Sequence, residues 1–250
     1  MAWAILQKRQ LISRLWEVDF ARGIGIMMML ASNFVTDIQF FTDYWQNEGF
    51  WWLFARITAF LFVFLVGLSL TISYARAKRQ GKAKFWKYLE RGLYILALGL
   101  AISVVTYFFL GENYIRFGVL HLIGISIILA YPFLKLRKGL SLIAGMAVIL
   151  AGILLPAFAV NTDKLLWLGL RTSEFSSVDY FPLLPWFGIV LLGIYFGKLL
   201  YKDGRRGLLK LPKMSERNPI CFLGRHSLFI YFIHQPIFIG ILWLLGVAVL

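Results

Sequence analysis

Seven apolar runs divide the chain, at approximately Phe20–Phe41, Trp51–Tyr74, Tyr88–Leu110, Ile115–Leu134, Leu140–Val160, Phe181–Tyr201 and Leu223–Leu250. A helix needs about 20 apolar residues to cross a hydrocarbon core of roughly 30 Å, and each run is about that long. The pattern predicts an all-α fold, a polytopic membrane helical bundle of about seven transmembrane helices. With no internal repeat, low-complexity tract or soluble insertion, residues 1–250 read as one domain. The first run is interrupted by polar positions at helical spacing. Asp19, Arg22, Ile26, Met29, Asn33 and Asp37 fall on one stripe, and Asn33 lies 11 residues, or about 16 Å, beyond Arg22. Ionisable and amide groups at that depth are costly and face a bundle interior or a wet cavity, which makes the stripe a functional-site hypothesis.

Charge fixes the expected orientation. Basic residues fill the second connection (Arg76, Lys78, Arg79, Lys82, Lys84, Lys87), the fourth (Lys135, Arg137, Lys138) and the sixth (Lys202, Arg205, Arg206, Lys210, Lys213, Arg217). The odd connections are acidic or nearly neutral, so the positive-inside rule predicts a cytoplasmic N-terminus and a C-terminus outside. Met1–Arg14 lacks the apolar core and cleavage site of a signal peptide, and insertion is expected to rely on the first span. The net charge of +14 is therefore an orientation signal of a cell-membrane protein contacting membrane lipids, and a nucleic-acid partner is not expected. Composition agrees: 60% hydrophobic residues and a mean hydropathy of +0.75 exclude a soluble globular protein. The single Cys221 has no internal partner for a disulfide.

Candidate chemistry follows from depth. Asp37 lies about 6 Å beyond Asn33. Arg56 enters the second span at a similar level, either to meet a substrate or to form a buried ion pair with Asp37 or Asp43. His121 lies about 9 Å into the fourth span, and His234 shares a face with Ser227 and Tyr231 about 12 Å above His226. The two histidines and Asn33 are placed to meet near mid-membrane. Two histidines without cysteine make a poor metal site, and no metal is expected; imidazole as a proton acceptor is the better chemistry. The alternative for each is an interhelical hydrogen bond with no chemistry. At the inner ends of spans, Arg22, Lys87, Arg91 and Arg225 form a collar suited to a polyanionic cytosolic ligand, although the positive-inside rule accounts for such residues too. His226 has a surface role and a phosphate contact as equal readings. On the outer side, Asp179 and Tyr180 lead through two prolines to Trp186, a segment that suits either a lid over a substrate site or an interfacial anchor.

The stretch Trp16-Glu17-Val18-Asp19-Phe20-Ala21-Arg22-Gly23, the apolar run to Asn33 and Asp37, and the segments Phe60–Gly67, Phe117–His121, Asp179–Trp186 and Gly224–Pro236 occur in a specific order. Together they resemble the transmembrane acyltransferase superfamily, in particular the prokaryotic group related to heparan-alpha-glucosaminide N-acetyltransferase. The resemblance implies a helical bundle that moves an acetyl or acyl group from cytosolic acetyl-CoA to a sugar, amino-sugar or lipid-linked glycan on the outer side. It implies that Arg22 holds coenzyme A or orders the first span, with Asp19 as its partner. In many relatives the position matching Asn33 is a histidine proposed as the base. The human-type enzymes resemble this chain in having asparagine there, but they use a histidine in the next outer loop, and Thr42–Gly49 has none. Asp37 and His121, then His234, are therefore the candidate bases, and Asn33 suits an oxyanion-hole role. A proton-coupled transporter or flippase is the competing reading, because buried carboxylate, amide and imidazole groups also build proton relays. A retinal protein is excluded because the last span has no lysine. Homo-oligomerisation is left open.

Overall fold

A computed structural model describes residues 15–42, 48–155, 162–172, 174–207, 212 and 218–247. It contains eight α-helices among these: α1 (Trp16–Phe41), α2 (Glu48–Arg79), α3 (Phe85–Leu110), α4 (Val119–Lys135), α5 (Lys138–Leu154), α6 (Leu183–Leu200), α7 (Pro219–Arg225) and α8 (Ser227–Leu244). A two-residue hairpin, β1 (Tyr201–Lys202) with β2 (Arg205–Arg206), follows α6. Five helices (α1, α2, α3, α6 and α8) are long and apolar enough to cross a membrane, whereas α4 and α5, at 17 residues each, are shorter apolar helices.

The differences from the expected spans have local causes. The fourth run was expected to be helical from Ile115, but Phe117 pairs with Tyr180 in a parallel bridge and Gly118 is extended, so α4 begins at Val119. The last run breaks at His226, which separates α7 from α8. Residues 156–161, 248–250, Asp43, Lys210, Lys213, Arg217 and the first 14 residues lie outside the described set.

The chain packs as two units, residues 1–62 with 211–250 and residues 63–210, and α2 runs through the boundary. In the first unit, α1 opens with Glu17 and Asp19 in its first turn, where carboxylates complement the helix dipole. It packs against α7 at backbone distance. Any Cβ on Gly23 would overlap the Ile220 carbonyl oxygen, and any Cβ on Gly224 would overlap that of Asp19. Cys221 Sγ lies 3.6 Å from the Trp16 carbonyl oxygen in the same seam. Asn218 caps α7 by accepting the Ile220 N–H at 2.8 Å, with Pro219 at the first helical position.

In the second unit, Val63, Leu122, Ile127, Val190, Leu191 and Ile194 are fully buried. Gly67 and Gly193 let α2 and α6 approach until backbone meets backbone, the small-residue packing used where lipid gives helices no hydrophobic reason to associate. The ends of α4 are closed by side chains from elsewhere. Asp179 Oδ2 accepts the Val119 N–H at 3.1 Å, and Lys198 Nζ donates to the Phe133 and Leu136 carbonyls. Large apolar side chains of α3 point outward instead, with Phe108 78% and Phe109 76% exposed, a surface suited to lipid.

The α1–α7 seam should tolerate no added methyl. Gly23→Ala and Gly224→Ala are expected to cost about 1–3 kcal/mol each, read as a lowered thermal midpoint in detergent. Gly240→Ala, on α8 with nothing within 4 Å of the new methyl, should be neutral or slightly stabilising.

Candidate functional site

The stripe on α1 keeps one face along its length. Asp19 and Arg22 pair at 3.6 Å, with Arg22 partly open to solvent (28% of its side chain). Ile26 and Met29 above them are buried. Asn33 and Asp37 then meet α8. Asn33 Nδ2 lies 2.8 Å from His234 Nε2, and His234 Nδ1 lies 2.6 Å from the Tyr231 carbonyl oxygen. A carbonyl oxygen only accepts, so Nδ1 must carry the proton. Nε2 is then a lone pair that accepts from the Asn33 amide. His234 is thus held as one neutral tautomer, with its basic nitrogen turned toward α1.

One turn further, Gln235 Nε2 donates to Asp37 Oδ1. Asp37 Oδ2 is buried and has no hydrogen-bond partner. Such an oxygen pays its desolvation cost without return, and it is an acceptor ready for a donor from outside the chain. Phe238 closes the side of the site, edge-on to both Phe34 at 5.2 Å and His234 at 5.7 Å. The site therefore offers, within one turn of α1, an amide, a lone-pair nitrogen and a half-satisfied carboxylate.

His121 belongs to the other unit, and its hydrogen bonds are those of a helix cap. Its Nδ1 accepts the Gly118 N–H at 3.2 Å, so Nε2 carries the proton and faces Ser103 Oγ at 3.4 Å. The Ser103 hydroxyl in turn donates to the Ile115 carbonyl. Both ring nitrogens are engaged in holding the non-helical entry to α4. Asp179 serves the same entry. Tyr180 donates its hydroxyl to the Leu166 carbonyl at 2.7 Å, and burial pushes its pKa up to about 12 against the opposing pull of Arg171. Trp186 is buried against Phe181, with ring centroids 4.9 Å apart. Nearby, Arg116 pairs with Asp163 at 3.2 Å and with Glu112 at 3.6 Å, and lies over Tyr114 and Phe175. This segment is a knitted cap of charge and aromatic contacts.

The remaining candidates lie toward surfaces. The Arg56 guanidinium stands 5.4 Å from the Trp52 ring centroid, and Arg225 is 6.0 Å from that of Phe222. His226 is exposed at the α7–α8 junction, its ring 4.5 Å from Phe222, and Arg91 is exposed near the start of α3. No group of three or more His, Cys, Asp or Glu residues able to hold a metal occurs among the described residues. Sequence reasoning missed Gln235 as a partner for Asp37. Its only signal was its place beside His234, and consecutive helical residues point about 100° apart.

Asp179→Ala would leave the Val119 N–H without its acceptor. The expected cost is that of a lost helix cap, about 0.5–2 kcal/mol, or a fall of about 1–8 °C in the thermal midpoint in detergent, with Asp179→Asn losing less.

A family model described as heparan-alpha-glucosaminide N-acetyltransferase, catalytic, matches residues 14–236, from the residues just before α1 through the His234–Gln235 pair. No curated protein and no solved structure matches the chain. The family description carries an acyltransferase-type function, and the long apolar helices make this a membrane protein. The match covers most of the chain, which belongs to the family of heparan-alpha-glucosaminide N-acetyltransferase catalytic domains.

Proposed function

We propose that the chain is a multi-pass cell-membrane acyltransferase that moves an acetyl group from cytosolic acetyl-CoA to a sugar, amino-sugar or lipid-linked glycan on the outer side. In this reading α4 and α5 complete a seven-span bundle with a cytoplasmic N-terminus. The observation that carries it is the Asn33–His234 contact with its locked tautomer, one turn from the unsatisfied oxygen of Asp37. The Arg22–Asp19 pair lies at the opposite end of the same stripe, on the side where the positive-inside rule puts the cytosol, with Arg225 and His226 on α7 and its junction. Within the first unit, Arg22 and Arg225 meet the anionic part of the donor and Arg56 belongs to the acceptor side.

The chemistry is a single acyl transfer. The acceptor's hydroxyl or amine, oriented by a hydrogen bond to Asp37 Oδ2, attacks the thioester carbonyl carbon, and its proton passes to His234 Nε2. The Asn33 amide turns from His234 to donate to the developing oxyanion, which frees the nitrogen as it is needed. Collapse breaks the carbon–sulfur bond, and the imidazolium returns its proton to the leaving thiolate. His234 need carry no charge before reaction, which limits the cost of holding an ionisable ring within a span. His121 takes a positioning role in this account, because both of its nitrogens already support the start of α4.

In reconstituted vesicles, Asn33→Ala and His234→Ala are each expected to lower kcat by about 10²-fold or more, beyond what the thermal destabilisation from the lost rung accounts for, and His121→Ala to lower thermal stability more than kcat. Acetyl-CoA well above its dissociation constant should stabilise the purified protein. Full acetyl transfer by both Asn33→Ala and His234→Ala, or no stabilisation by acetyl-CoA, would sink the reading and favour a transporter.

A further inference from the structure

Four cations and one carboxylate, Arg79, Lys202, Arg205, Arg206 and Asp203, line an open surface depression of about 540 Å³ in the second unit, together with Gly207. Cations at the ends of spans are expected from the positive-inside rule, so their number alone means little. Their fixed geometry means more. Asp203 and Gly204 both adopt positive φ, 53° and 73°, the backbone of a two-residue hairpin turn that Asp-Gly favours. The turn is pinned from behind. Arg76 Nε donates to the Gly204 carbonyl at 3.2 Å, and a side chain at Gly204 would crowd Arg76 Cγ. Tyr201 is buried, and the Gly207 N–H returns to the Leu200 carbonyl at 2.9 Å.

This rigid turn places Lys202 directly opposite Arg205 in the antiparallel register, with Tyr201 opposite Arg206. Like charges directly opposed across a strand pair are destabilising, and an anion between them removes the penalty. Arginine presents planar, forked donors that match phosphate oxygens, and lysine adds a point charge.

We propose that the Tyr201–Gly207 hairpin together with Arg79 is a binding site for a phosphate ester at the membrane surface, separate from the Asn33–His234 site and independent of the acyl-transfer reading. Two sources share that chemistry, the phosphate of an anionic lipid headgroup and that of a soluble phosphomonoester. Neither Asn33 nor His234 takes part in the site.

The full chain, delipidated in a neutral detergent, can be titrated with short-chain phosphatidic acid, with adenosine 3′,5′-bisphosphate and, as a zwitterionic control, with short-chain phosphatidylcholine, binding being read as a thermal shift. At least one anionic probe should bind saturably and the control should not, and the preferred probe names the source. The double variant Lys202→Gln/Arg205→Gln should bind about tenfold or more weakly, while Arg137→Gln/Lys138→Gln, an equal loss of charge in another connection, should stay within about twofold. Gly204→Val removes no charge and should also weaken binding. Absence of binding by both anionic probes, equal weakening by the two double variants, or unchanged binding by Gly204→Val would each overturn the site.

Discussion

The first unit depends on how the polar side chains of its long apolar helices α1 and α8 find partners in each other. A polar side chain in hydrocarbon has to find its partners in protein, and here two consecutive rungs supply them to Asn33, from His234, and to one oxygen of Asp37, from Gln235. The partners of α1 are held in two different ways. Against α7 it packs backbone to backbone through Gly23 and Gly224, a contact that needs no polar chemistry. Against α8 it relies on the two rungs and the Phe34–Phe238 contact, since His234 and Leu242 are the buried residues of that helix. The rungs set the rotation of α8, and that rotation in turn aims the imidazole. Structural hydrogen bonding and the placement of a basic nitrogen are one feature.

The second unit meets the same constraint where its backbone leaves the helix. At the entry to α4 the chain is extended, and its freed groups are taken up by Asp179 and His121. At the exit, Lys198 reaches across from α6 to the last carbonyls. A carboxylate at the N-terminus and an ammonium at the C-terminus oppose the helix dipole with the correct sign at both ends. That explains how a 17-residue helix with irregular flanks is kept in place. It also explains why charged residues near spans need not be catalytic, because Asp179 and Lys198 act on backbone.

The helical class and the shared face of the α1 stripe were legible because both rest on period. Ile26 and Met29 are buried on the face that carries Asp19, Arg22, Asn33 and Asp37, as a 3.6-residue repeat requires. The break at His226 and the late start of α4 were not legible. Hydropathy is continuous through both, and the causes are a bridge to Tyr180 some 60 residues away in sequence and the turn at the α7–α8 junction. The three histidines looked alike in composition. Their hydrogen bonds separate them, since His121 accepts at Nδ1 whereas His234 donates there. Tautomer depends on neighbours brought in by folding, and Gly118 and Tyr231 show that even a residue three positions away matters only once the backbone conformation is known.

The asparagine at position 33 then has a physical reading. An imidazole there would face His234, and two basic rings sharing one proton titrate as a coupled pair rather than as a defined donor and acceptor. An amide removes that ambiguity. It donates to Nε2 in the resting chain, remains neutral at every pH, and leaves His234 as the single titratable ring of the contact. The proton-accepting nitrogen is thereby carried by α8, while α1 keeps the dipole and the carboxylate. In the proposed reaction the two helices supply different halves of the chemistry. Rotation of α8 by one residue, about 100°, would turn Gln235 toward Asn33, take the base out of reach and cost Asp37 its partner.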